Sequence, residues 1–141
     1  MKAVRMPIKN VLILRLNPGD DLLEALRVAV RENEVQNAVI IAGVGSVVSH
    51  HYHVVASTVN PPKEYFTKGD AAADILSMNG AIINGRVHAH VTYSNEKVAY
   101  GGHLELGCEI LTFTMVTLAE VDADFDRWDH IGAIEDLLAG V

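Results

Sequence analysis

Hydrophobic and polar positions along this chain follow distinct rhythms, and each rhythm predicts an element. Ile8 to Leu16 (IKNVLILRL) is a short run dense in branched apolar residues, the mark of a buried first strand. Asn17-Pro18-Gly19-Asp20 interrupts it as a turn that also supplies a helix cap, with Asp20 or Asp21 at the cap position. Leu22, Leu23, Leu26, Val28, Ala29 and Val30 then recur at roughly helical period, and the stripe stops near Asn33. Asn37 to Val44 is continuously apolar, as a central strand covered on both faces would be. β-Branched residues between Val47 and Ser57 predict a further strand.

The second half is richer in strands. Asn60-Pro61-Pro62-Lys63 is a loop, because two prolines cannot serve a central ladder. Ala73 to Met78 and Ala81 to Asn84 read as short strands around the turn dipeptide Asn79-Gly80. Gly85 to Tyr93 and Val98 to Glu105 form the arms of a hairpin, and Glu109 to Val121 closes the sheet. Asp122 to Asp129 is acidic, Trp128 is expected to pack the terminal segment on the sheet, and Ile131 to Leu138 makes a short helix. One early helix followed by many strands predicts an α+β fold, a mainly antiparallel β-sheet sandwich with one main helix. Residues 1–141 read as one domain with an acidic C-terminal extension over 122–141.

Composition narrows the function. The charge is −7, with 18 acidic residues against 11 basic ones, and no basic run appears. Phosphate contacts supply much of the affinity for nucleic acid, so direct binding to it is disfavoured. The longest apolar stretch, Ala38 to Val48, is too short to span a bilayer and is broken by Gly43, Gly45 and Ser46. The segment Met1 to Pro7 lacks the features of a signal peptide. Cys108 is the only cysteine, which excludes an internal disulfide and a thiolate zinc site and predicts a reducing cytoplasm. Its place after Gly107 suits a small core residue. Gly43-x-Gly45 leads into no helix, so it marks a close backbone approach rather than a phosphate loop.

The candidate chemistry lies in the hairpin. His88 and His90 are two apart on a strand, so they share a face at roughly 7 Å. With Asn95-Glu96 as a two-residue loop, Ser94 faces Lys97, His88 falls opposite His103, and His90 falls opposite Gly101. Three imidazoles then converge, and a one-residue slip would send His103 to the other face. Three neutral imidazoles with one open position are the ligand set of a catalytic-type zinc site, and other divalent transition metals suit imidazole too. Gly101 and Gly102 are expected to leave room over His90. Glu105 shares the histidine face opposite Arg86, as a fourth ligand, a general base or, by default, half of an ion pair with Arg86. His51 and His53 share one face of their strand and His50 and Tyr52 the other. They offer a second metal site, polar groups near the first or, by default, a solvent-facing edge.

Asn17-Pro18-Gly19-Asp20-Asp21-Leu22-Leu23, Ile41-Ala42-Gly43-Val44-Gly45-Ser46 and Asp74-Ile75-Leu76-Ser77-Met78-Asn79-Gly80 follow one another as blocks. Gly85-Arg86-Val87-His88-Ala89-His90 and Gly101-Gly102-His103-Leu104 complete the series. In this order the blocks resemble the plant- and prokaryote-conserved (PPC) domain, from about Val11 to Val121. The resemblance implies an α+β fold around a mainly antiparallel sheet, a homotrimer, and a metal, often zinc, on His88, His90 and His103. The family is often labelled DNA-binding, but its plant members contact DNA through AT-hook segments that this chain lacks. Three readings stay open: a trimeric metal-binding module with a binding or regulatory role, a metal-dependent enzyme of hydrolase type using a metal-bound water, and direct DNA binding, favoured only by the family label. A small-molecule ligand is compatible with the first two, and a trimer would also bury apolar strands such as Ile110 to Val121.

Overall fold

The computed structural model describes residues 1–140. Among them, eight strands and two helices follow in the order β1 (Ile8–Leu16), α1 (Leu22–Glu32), β2 (Ala38–Val47), β3 (His50–Val55), β4 (Glu64–Gly69), β5 (Ala73–Ile83), β6 (Arg86–Ser94), β7 (Ala99–Leu104), β8 (Ile110–Val121) and α2 (Ile134–Ala139). All strands join one antiparallel sheet in the order β1-β8-β2-β5-β6-β7-β3-β4. The fold is α+β, as expected, but it is one open sheet rather than two stacked sheets.

The helix starts where its cap chemistry is. Asp21 is the N-cap: its Oδ1 accepts the Glu24 N–H at 3.0 Å. Its Oδ2 accepts the N–H groups of Gly107 at 2.6 Å and Cys108 at 3.1 Å. One carboxylate therefore holds both the helix start and the loop entering β8. Asp21→Ala strands all three donors, and we expect it to cost about 2 kcal/mol in a urea titration, with Asp21→Asn recovering much of the loss. Leu22, Leu23, Leu26 and Val30 are the buried side of α1. They pack on the same sheet face as Leu14, Leu16, Ile40, Val87, Val91 and Leu118.

Strand alternation sends the intervening residues to the other face. His88 lies opposite Ala81, and Ala81 opposite Val39. His90 lies opposite His103, and His103 opposite His53. The outer face thus carries two territories. Val11, Ile13, Val39, Val44, Phe113 and Met115 are exposed on β1, β2 and β8, and the histidines stand on β3, β6 and β7. Phe125 and Trp128, ring centroids 5.4 Å apart, lie over Val39 and Ala81 between the two territories, as the sequence led us to expect of Trp128.

Several local expectations need correction. Asn79-Gly80 is no turn: it lies inside the continuous strand β5, where Asn79 pairs with His90 and Gly80 with Ala89. The turn is Asn84-Gly85, both at positive φ (49° and 75°), the pattern of a type I′ hairpin. Gly80 serves a close approach, since a Cβ there would sit 2.1 Å from the His88 carbonyl oxygen. Gly101 and Gly102 act similarly. Added Cβ atoms would meet the carbonyl oxygens of Val91 at 1.9 Å and His53 at 2.3 Å, so these glycines admit neighbouring backbones rather than a metal. The edge strand β4 carried no expectation, and β3 lies inside the sheet between β7 and β4.

Candidate metal centre

The hairpin that carries the histidines is closed by four residues, not two. Asn95 Oδ1 accepts the N–H groups of Lys97 at 2.9 Å and Val98 at 3.0 Å, and the Asn95 N–H reaches the Val98 carbonyl at 3.1 Å. This Asx turn makes Ser94 and Ala99 the first ladder pair. The register is therefore displaced by two residues from the two-residue-loop expectation: His90, not His88, faces His103, and Gly101 faces Thr92. A displacement of two preserves the face, because side chains alternate with period two. His88, His90 and His103 do come together.

Their rings are grouped closely. Centroid separations are 5.5 Å for His88–His90, 4.9 Å for His88–His103 and 5.5 Å for His90–His103. Three imidazoles bound tetrahedrally at a zinc–nitrogen distance of about 2.0–2.1 Å would place their centroids about 5 Å apart. The ring spacing is of that order, but the grouping among the described residues whose donor atoms all lie within 4.8 Å of one another is His53, His103 and Glu105, so the rings of His88, His90 and His103 would have to turn to share an ion.

A fourth histidine joins them. His53 sits opposite His103 on β3, with the two rings stacked at 4.5 Å. Glu105 Oε1 lies 2.7 Å from His53 Nδ1 and 3.2 Å from His103 Nδ1, and donor atoms of these three residues fall within 4.8 Å of one another. A second carboxylate, Glu64, approaches His53 Nε2 at 3.6 Å. The expected Glu105–Arg86 ion pair does not form, because the longer turn carries Glu105 out of reach. Arg86 instead donates to Asp129 Oδ1 at 2.7 Å and Oδ2 at 2.8 Å. Asp129 Oδ2 in turn lies 3.3 Å from His88 Nδ1.

These carboxylates select the tautomers. An Nδ1–H donated to a carboxylate leaves the Nε2 lone pair free, the arrangement by which metal-ligating histidines are usually oriented. Glu105 and Asp129 thus prepare His103 and His88 to bind through Nε2. Sequence reasoning missed Asp129 and Glu64 as neighbours of the site, and offered the 50–53 histidines as polar groups near it only as an alternative to a solvent-facing edge. The shared face of His51 and His53 was the available signal, but pairing of β3 with β7 is a long-range event. His51 Nδ1 is engaged by the Leu106 carbonyl at 2.6 Å. His50 turns to the opposite side, its ring edge-on to Tyr100 at 5.0 Å. Cys108 is a core residue, fully buried beside Tyr93 Oη at 3.1 Å, and burial pushes its thiol pKa up.

Burial, followed by the neighbouring imidazoles His103, His88 and His53, holds the pKa of His90 below 6.5. Burial also lowers that of His103, with His53 and His88 adding to the effect and Glu105 opposing it. His90 and His103 are therefore biased toward the neutral form that a metal needs. Below about pH 6.5 the unfolded chain binds more protons at these positions than the folded one, so stability falls with falling pH. In the presence of a chelator, the melting temperature should decline from about pH 6.5 downward, and His90→Asn should flatten that slope.

One open antiparallel sheet, a single helix on its core face and a carboxylate-braced histidine cluster on the other define an α+β protein with a candidate metal centre. The chain belongs to the Plants and Prokaryotes Conserved (PCC) domain family, whose sequence model matches residues 5–122. Its fold is similar to that of a metal-containing protein from Archaeoglobus fulgidus, with TM-score 0.78 and 22% identity over 88% of each chain. It is also similar to a plant- and prokaryote-conserved (PPC) protein of Pyrococcus horikoshii, with TM-score 0.74 and 19% identity over 88% of this chain and 87% of the other. Among curated proteins, it is 30% identical over 112 residues to the bifunctional protein GlmU of Synechococcus sp. (strain JA-2-3B'a(2-13)). That match takes 76% of this chain but spans only 16% of the relative's length.

Proposed function

We propose that the protein is a homotrimeric metal-binding module that holds zinc, or another divalent transition metal, through His88, His90 and His103. The observation that carries this reading is the convergence of three imidazoles with two of their Nδ1 atoms already committed to carboxylates. The metal-containing relative from Archaeoglobus supports it at the level of the fold. His53 stands beside the three as a further imidazole, 4.5 Å from His103.

The trimer rests on the exposed apolar territory of β1, β2 and β8. Monomeric proteins rarely leave a contiguous patch of that kind on a sheet face. Copies packed through it would cover the patch, and sedimentation should return three times the monomer mass of 15.3 kDa. Among the described residues no helix is long and apolar enough to cross a membrane. For the enzymatic reading, a metal-bound water would be the nucleophile. Glu105, the one base the sequence offered for it, is engaged by two imidazoles and acts here as their orienter. Direct DNA binding finds no support in a charge of −7. It would require an affinity that falls steeply with salt.

The test is metal content. Elemental analysis of protein purified without a polyhistidine tag should give close to one zinc per chain, lost in His88→Ala. No metal in the wild type, even after incubation with zinc, would overturn the reading. Bound metal should also leave as the medium is acidified below about pH 6.5, because protonated imidazoles cannot ligate. Full retention at about pH 4.5 would contradict an all-histidine site.

A further inference from the structure

We propose that Asp129, in the C-terminal extension, is a positioning residue for His88, and that through it metal binding and the seating of the extension on the sheet form one coupled equilibrium. This rests on the metal-site reading above. The family match ends at residue 122, so Asp129 lies outside the matched segment.

The extension reaches the site as a compact turn. The Trp128 N–H donates to the Phe125 carbonyl at 3.0 Å, and the His130 N–H to the Arg127 carbonyl at 3.0 Å. Asn84 Nδ2 holds its near end through Asp126 Oδ1 at 3.3 Å. The apolar side of the turn, Phe125 and Trp128, faces Val39, Ala81 and Ile83 across a cavity of about 570 Å³. His88 and Asp129 line the same cavity. The Asp129 side chain is only 13% exposed, whereas Arg86, its other partner, is 54% exposed. Arg86 Nη2 meets both Asp129 oxygens, at 2.7 Å and 2.8 Å, and a guanidinium keeps its charge whether or not a metal is near. The imidazole of His88 is therefore the partner whose chemistry can change the hold on Asp129.

A metal on Nε2 withdraws charge from the ring and makes Nδ1–H a stronger donor, while the carboxylate on Nδ1 makes Nε2 a better ligand. The two effects are one interaction seen from both ends. Whatever factor Asp129 adds to metal affinity, the metal must add to the population in which the extension is seated. Metal occupancy is thereby reported at the C-terminal surface of the molecule.

The experiment uses the full chain with zinc alone as the probe. Zinc affinity is read by titration, and amide exchange over residues 125–130 is read with and without zinc. In the wild type zinc should slow exchange across that segment. Asp129→Asn should weaken zinc by about 10–100-fold and remove the zinc-dependent protection, with little change in the melting temperature of the metal-free protein. Trp128→Ala, which unseats the turn without touching the carboxylate, should also weaken zinc. Zinc binding with unchanged exchange at 125–130, or unchanged affinity in Asp129→Asn, would overturn the coupling and leave the metal site standing. A melting temperature lowered in Asp129→Asn at unaltered zinc affinity would make the residue merely structural and overturn it too. Failure of the wild type to take up zinc would overturn both readings together.

Discussion

His103→Ala should reduce zinc affinity by more than about a hundredfold, since losing an outer carboxylate partner alone costs about 10–100-fold. His103 is the centre of the cluster. Its ring lies 4.9 Å from His88, 5.5 Å from His90 and 4.5 Å from His53, and its Nδ1 is braced by Glu105. No other member of the cluster touches as many of the rest. Glu105→Ala should give a smaller loss, within the range for an outer partner, and Glu105→Gln a smaller one still. Competition against a chromophoric chelator measures all three, with circular dichroism to show that the sheet persists. Undiminished zinc binding in His103→Ala would move the site elsewhere and exclude the three-histidine centre. An equal loss in Glu105→Ala would make the carboxylate a direct ligand, with His53 and His103 beside it.

The largest effect on stability is expected from Leu26→Ala, at about 2–5 kcal/mol. Leu26 is fully buried at the middle of α1, the one helix that covers the core face of the sheet. The helix itself can yield little, since alanine is the better helix former, so the loss reports packing alone. The surrounding core is close-packed and tied by the sheet ladders, so it closes the gap only in part. Against a typical total of about 5–15 kcal/mol, the change would bring the urea midpoint down markedly at unchanged slope. A loss below about 1 kcal/mol would mean that α1 packs more loosely than its burial implies. Zinc should restore part of the loss by mass action, because the ion binds only the folded chain.

The sequence made the local features legible and left the long-range ones hidden. β1 and α1 could be placed almost to the residue, because Asn17-Pro18-Gly19 ends one rhythm and Asp21 begins the next. The histidine triad was legible for a reason that also forgave an error. The ladder lies two residues from the two-residue-loop register, yet His103 keeps its face. Local chemistry alone could not choose between Asn79-Gly80 and Asn84-Gly85 as the turn, since both dipeptides suit one. The choice is made by β2, whose Ile40 pairs with Gly80 and keeps β5 running through. His53 was legible as a strand residue but not as a neighbour of His103, because nothing near it in sequence reports which strand β3 will meet. Asp129 lies in an acidic run whose role the sequence leaves open until the fold supplies Arg86 and His88.

The meeting of β3 with β7 has a further meaning for how the molecule breathes. The β3–β4 hairpin joins the rest of the sheet through two ladder pairs, Tyr52 with Leu104 and His53 with His103, with His51 also bonded to the Glu105 N–H, the Leu106 carbonyl and Cys108 Sγ, and His53 Nδ1 to Glu105. Every other seam in the sheet is longer. With the shortest ladder in the sheet, this hairpin is expected to lift as a flap before global unfolding begins, and amide exchange over β3 and β4 measures it. His53 rides on the flap, while His88, His90 and His103 stay behind on β6 and β7. An ion shared between them would rivet the flap shut, and an ion held by the three alone would leave it free to lift.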